Sequence, residues 1–198
     1  MLLRAALIRW VCLGALIALG GCSSPPQVPP RVDSPAQVAQ PLTEFTLEGR
    51  LSLRSGEEAV SGGLHWSRKG THDQMLITTP MGGAVAKITR VGEHVEVVDH
   101  KGQRTVTESG LGGLEQVLGF RLPLDDLPWW LAGAARAGEG RRLDLDSEGR
   151  LAHLEQDGWR IDFQRYQPVS DRFLPRKLVV RRGEDLELRL IVDQWTLP

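Results

Sequence analysis

From Thr43 onward the hydrophobic positions recur every second residue. Phe45, Leu47, Leu51 and Leu53 alternate with polar neighbours, interrupted only at Gly49, and Leu64 with Trp66, then Met75 with Ile77, continue the pattern. Successive residues of a strand point to opposite faces, so a period of two reads as strands with one buried face. Val85 to Thr89, Val95 to Val98 and Arg104 to Val106 form three more short runs, punctuated by Gly92 and by Lys101-Gly102. In the second half Leu143 and Leu145 precede a Glu148-Gly149 turn, Leu151 to Leu154 precede Asp157-Gly158, and Trp159, Ile161 and Phe163 share one face. Leu178 to Arg181 then turn at Gly183 into Leu186, Leu188, Leu190 and Val192. About eleven short strands at hairpin spacing predict a mainly β fold. Such a meandering antiparallel sheet curls into a barrel or wraps around something.

One stretch departs from that rhythm. Leu111, Leu114, Val117 and Leu118 stand three and four apart, the spacing of one helix face. Leu124 to Leu131 form a second apolar segment, with Asp125 and Asp126 in its first turn and Gly133 as a stop. Two small helices between two halves of a sheet must bury their apolar faces, and the concave face of the sheet offers the room. The pattern therefore predicts a cup with a small helical lid.

The N-terminus follows a different logic. Arg4 and Arg9 accompany a short apolar run, Val11 to Leu19, too short to cross a bilayer comfortably, which ends in Leu19-Gly20-Gly21-Cys22. Small residues before a cysteine are what a lipoprotein signal peptidase accepts; the thiol then carries diacylglycerol and the freed amine a third acyl chain. Residues 1–21 are thus expected to be a signal peptide and Cys22 the lipidated N-terminus; the competing reading is an ordinary secretory signal with an incidental cysteine. Cys12 falls inside the removed segment, which leaves Cys22 without an intramolecular disulfide partner. Each buried acyl methylene contributes about 0.8 kcal/mol, so three chains anchor a protein essentially permanently. Ser23 stands where an aspartate commonly marks inner-membrane retention, and so points to the outer membrane. Residues 22–42 hold six of the twelve prolines and no apolar period. That is the composition of an extended tether, with a reach of roughly 50–60 Å. A single domain, residues 43–198, remains.

Composition narrows the chemistry. Without residues 1–21 the chain carries 22 Lys+Arg and 25 Asp+Glu, a formal charge of −3 and no footprint for nucleic acid. His65, His72, His94, His100 and His153 show no metal-ligand spacing, and in Asp99-His100 and His72-Asp73 adjacent residues point to opposite faces. No GxSxG elbow, HExxH or P-loop is present, so no catalytic site, metal or cofactor is expected. Gly110 to Gly113 reads as a helix entry, and Arg181-Arg182 as a solvated hairpin end or as a contact for a lipid headgroup.

Five tryptophans survive signal removal: Trp66, Trp159 and Trp195 in strand-like runs, Trp129 and Trp130 in the lid segment. Tryptophan suits a core or a roomy apolar pocket, and a cup with its lid would bring these together. Thr79-Pro80-Met81-Gly82-Gly83 lies between two strand runs and puts Met81 on a hairpin tip. An apolar residue there is either folded back onto the sheet or held out towards lipid or a partner.

Gly49-Arg50-Leu51-Ser52, Leu64-His65-Trp66, Thr79-Pro80-Met81-Gly82, Leu127 to Gly133 with its Trp130, Asp157-Gly158-Trp159, Leu174-Pro175 and Val192-Asp193-Gln194-Trp195 occur in an order and spacing that span Thr43 to Pro198. Together they resemble the LolB family, lipoprotein-anchored receptors that complete lipoprotein delivery to the outer membrane. The resemblance implies an incomplete antiparallel barrel, a helical lid and a cavity that takes acyl chains. It assigns the cavity tryptophans to Trp66, Trp130, Trp159 and Trp195, and leaves Trp129 without a counterpart. It also implies a protruding loop with an apolar tip that puts cargo into the membrane. Here Pro80, Met81 and Gly82 hold that place, with methionine where the family has leucine. The implied partners are the periplasmic carrier LolA, triacylated lipoproteins as cargo and outer-membrane lipid, with the protein acting as a monomer on the periplasmic face. The rival expectation is an envelope-assembly scaffold lipoprotein that binds no acyl chains.

Overall fold

Strands form where the two-residue alternation is strongest. The computed structural model describes residues 40–108, 110, 115, 121–138 and 140–198. They hold β1 (Glu44–Ser55), β2 (Glu58–Lys69), β3 (His72–Thr78), β4 (Ala84–Val91), β5 (His94–Asp99), β6 (Arg104–Thr107), β7 (Arg142–Leu145), β8 (Leu151–Gln156), β9 (Trp159–Val169), β10 (Arg172–Arg182) and β11 (Leu186–Thr196). All eleven belong to one antiparallel sheet in the order β6-β5-β4-β3-β2-β1-β11-β10-β9-β8-β7. The first and last strands are thus neighbours at the centre, and the chain leaves one edge at β6 to re-enter at the opposite edge, β7.

Turn chemistry sets the hairpins. Asp157 and Gly158 both take positive φ, 50° and 79°, as a two-residue turn matched to strand twist requires. A bulge then corrects the phase of the last strand. Leu188, Leu190 and Val192 face the core, so strict alternation would turn Trp195 outward. The register slips between Glu48 and Gly49, so that Leu47 pairs with Trp195 while Gly49 pairs with Val192. The extra residue returns the indole to the interior. Only glycine fits at position 49, because a Cβ there would run into the Ile191 carbonyl oxygen.

Inward residues of β1–β5 and β8–β11 share a single core with the segment that joins the two edges. Part of that segment, the expected helix face of Leu111, Leu114, Val117 and Leu118, lies outside the described residues. The second expected helix is present but shorter, α1 (Leu127–Leu131). Residues 124–126 form a turn instead, with Asp126 and Leu127 N–H groups both donating to the Pro123 carbonyl. Pro128 explains the late start, since its fixed φ and missing N–H suit the first turn of a helix. Gly133, at φ 69°, ends the helix as its position suggests. Leu127, Pro128, Trp130 and Leu131 are all buried, so α1 is held by packing more than by its own five-residue length.

Candidate functional site

Between the sheet and the segment leading into α1 lies a cavity of about 150 Å³. Its lining comes from β1 (Leu51, Leu53), β2 (Val60, Leu64, Trp66), β3 (Met75, Ile77), β4 (Val85, Ala86, Ile88) and β11 (Leu188, Leu190), closed by Leu122 and Leu127. Every one of these side chains is apolar. Apart from Val85, which the register shift at the root of the β3–β4 loop leaves unpaired, the strand residues among them are inward positions of the same alternation that makes the strands. Val60 is 38% exposed and marks the open end.

A buried ionic group underlies the other end. Asp73 is fully buried, with its Oδ1 accepting from Trp66 Nε1 at 2.9 Å and from Arg68 Nη1 at 3.1 Å. Arg68 Nη1 also donates to the Leu124 carbonyl at 3.1 Å. Arg90 Nη1 lies 3.8 Å from Asp73 Oδ2 and donates to Asp125 at 2.7 Å. Burial pushes the Asp73 carboxyl above its ordinary range, against the opposing pull of the Arg68 guanidinium and the Trp66 N–H. The sequence reading missed this group. Its signal was phase, since Arg68, Asp73 and Arg90 each sit two residues from an inward apolar position (Trp66, Met75 and Ile88). A charge in step with a core is a candidate for a paired, structural role.

The β3–β4 loop is tightly built. Gly82 N–H donates to the Thr79 carbonyl at 2.9 Å, Thr79 N–H to the Gly83 carbonyl at 2.7 Å, and Gly83 N–H to Thr79 Oγ1 at 3.1 Å. Pro80 presets the turn and Gly82 takes φ 85°, which a side chain would resist. At the tip Met81 is 98% exposed, the most exposed large hydrophobic among the described residues. Of the two readings of this residue, folded back or held out, the structure has the second. Ile77 and Val85, at the two roots of the loop, line the cavity, so tip and cavity share one hairpin.

The family model for the outer membrane lipoprotein LolB matches residues 43–195. The chain belongs to the LolB family. The outer-membrane lipoprotein LolB of Thiobacillus denitrificans is 37% identical over 183 residues, covering 90% of this chain and 91% of that protein. That of Pseudomonas paraeruginosa is 35% identical over 155 residues, covering 78% and 75%. A protein of the DUF1329 family from Desulfovibrio piger, 12% identical, shares the fold, with a TM-score of 0.50 over 78% of this chain and 85% of its own. Membership makes this a lipid-anchored outer-membrane protein with a part in lipoprotein localisation, in a family of receptors rather than enzymes.

The four tryptophans that the LolB resemblance singles out fall into two groups. Trp66 lines the cavity and meets Phe45 edge to face at 5.0 Å, and Phe45 meets Trp195 at 5.6 Å. Trp130 packs against Trp159 at 5.8 Å, away from the lining of this cavity, and Arg182 stands over Trp159 at 5.2 Å. Trp129 is partly buried against the core. Cys22 lies outside the described residues.

Proposed function

We propose that the domain accepts acylated lipoproteins from the periplasmic carrier LolA into its apolar cavity and releases them into the inner leaflet of the outer membrane. Cys22 holds the domain at that membrane, with residues 22–42 as the tether, and the Pro80-Met81-Gly82 tip reaches the lipid. The observation that carries this reading is an entirely apolar cavity on the same hairpin as a fully exposed methionine. A triacylated protein crossing water bare would expose dozens of methylenes at about 0.8 kcal/mol each, so delivery needs a relay of apolar sites. Nothing in such a relay consumes nucleotide.

At about 150 Å³ the cavity is smaller than the roughly 300–1,000 Å³ of ordinary ligand pockets, so loading must widen it. Leu122 and Leu127, on the segment that crosses the open side, are the lining residues outside the sheet and the natural ones to move. The small volume also favours the scaffold reading, in which side chains fill the interior and no acyl chain enters. Ala86→Phe separates the two. A cavity of about this size holds one benzene ring, so the new side chain should fill it at a cost of about 1–3 kcal/mol in stability. Receptor function predicts loss of cargo uptake by the folded variant; uptake unchanged would favour a different binding surface.

A further inference from the structure

The Arg181-Arg182 pair at the end of β10 splits its two cations between the faces of the sheet. Arg181 points outward, opposite Glu187, and is satisfied by Glu187 and Asp162. Arg182 points inward, opposite Leu186 on one side and Trp159 on the other, and is half-buried. Its guanidinium carbon lies 5.2 Å from the centre of the Trp159 ring, and its Nη1 is buried without an acceptor among the described residues. Trp130, 1% exposed, packs against the same Trp159 ring, and its Nε1 is likewise without an acceptor. A buried donor with no partner and a half-buried guanidinium with no counter-charge both destabilise a fold. Two of them around one indole, both without an acceptor among the described residues, mark a place where a ligand can supply one.

Position says what kind of acceptor. Leu188 lines the apolar cavity, and Leu186 is the next inward residue of β11 towards the end that Val60 leaves open. Leu186 pairs with Arg182, so the Arg182 backbone stands one inward step, about 7 Å along the strand, beyond Leu188 and one strand over, with its guanidinium over Trp159 of β9. A molecule that fits both parts has a long apolar body and oxygen acceptors at one end. We propose that Arg182 and Trp130, framed by Trp159, receive the ester and amide carbonyl oxygens that join acyl chains to the head of an acylated ligand, while the chains occupy the cavity. This rests on the cavity's proposed role as the acyl-chain site. An ionised phosphate would call for a second free cation, and the other inward arginines, Arg68 and Arg90, are already engaged by Asp73 and Asp125.

The test uses the chain from residue 22 with Cys22→Ala, and three probes: a synthetic tripalmitoyl-cysteine peptide, the apolar fluorophore phenylnaphthylamine, and dipalmitoyl phosphatidylglycerol. Arg182→Met keeps the apolar stem and removes the donors. It should weaken the acylated peptide by on the order of 10- to 100-fold and leave phenylnaphthylamine unchanged. Trp130→Phe should weaken the peptide less, and Arg182→Lys should recover part of the loss. Peptide affinity untouched by Arg182→Met would overturn the assignment, as would equal losses for peptide and fluorophore, which would make Arg182 merely structural. A larger loss for phosphatidylglycerol than for the peptide would replace carbonyl with phosphate and overturn it too. Unsubstituted protein that binds the fluorophore and not the peptide sinks this inference alone; protein that binds neither takes the cavity reading with it.

Discussion

Asp73 is where charge and hydrogen bonding can be separated. Its carboxylate is fully buried and accepts from a buried indole N–H and from Arg68, whose side chain is 10% exposed. Asp73→Ala orphans the Trp66 N–H, at about 1–3 kcal/mol, and removes a charge-assisted bond from Arg68 worth about 1.5–3 kcal/mol. Arg68 keeps the Leu124 carbonyl and Arg90 keeps Asp125, so the loss should stay near 3–5 kcal/mol, the usual cost of breaking a buried pair. Asp73→Asn tells a different story. Burial raises the Asp73 carboxyl above its ordinary range, so desolvation offsets part of what the charge gains from Arg68 and Arg90, and the acceptor oxygens carry much of what the side chain contributes. Asparagine retains Oδ1, which accepts from both Trp66 and Arg68, gives up Oδ2, to which Arg68 also donates at 3.3 Å, and should cost about 1–2 kcal/mol. The assay is urea unfolding of the Cys22→Ala chain, followed by tryptophan fluorescence. With a urea slope of about 1–3 kcal/mol per molar, the alanine variant should lose on the order of 2 M in midpoint. A raised folded pKa contributes stability that is complete below the unfolded value and is lost as pH rises through the folded one. The advantage of the native protein over Asp73→Asn should therefore widen on acidification from neutrality. Equal costs for alanine and asparagine would refute the reasoning and show that charge dominates; an alanine cost under about 1 kcal/mol would remove the network altogether.

Two further substitutions address the loop and the anchor. Met81→Glu alters a side chain that is 98% exposed, so urea midpoint and cargo uptake should stay as they are while release into vesicles falls; parallel loss of uptake would end the loop's proposed role. Cys22→Ala should move the protein from the outer-membrane fraction to the soluble periplasm, and continued cofractionation with the membrane would mean that something other than the lipid holds it there.

The strands were legible because each has one wet and one dry face, which imposes a period of two on the sequence. Turn pairs such as Asp157-Gly158 fixed their ends. Less visible were features set by a shift of phase or by partners remote in the chain. Trp195 falls out of step with Leu188, Leu190 and Val192, and only the bulge opposite Glu48 and Gly49 puts it inside. The family resemblance assigned Trp66, Trp130, Trp159 and Trp195 to one cavity, but a residue type carries no information on which neighbour it meets, and of the four Trp66 alone is in the lining described above. Trp66 therefore joins Phe45 and Trp195, whereas Trp130 joins Trp159. Asp73 was set aside as half of a His-Asp pair at a turn, yet it answers two arginines from β2 and β4. Spacing alone leans towards a Met81 folded back onto the sheet, and at 98% exposed it is not, because a turn fixes where a side chain starts and not where it ends.

Receptor function is tested most directly by a transfer measurement. LolA loaded with a triacylated lipoprotein would be mixed with the tagged Cys22→Ala chain, without nucleotide, and the tagged fraction probed for cargo. The account predicts that cargo moves to the tagged chain, and that Ala86→Phe, folded, receives none. Cargo that stays on LolA beside a folded, unsubstituted chain would contradict it.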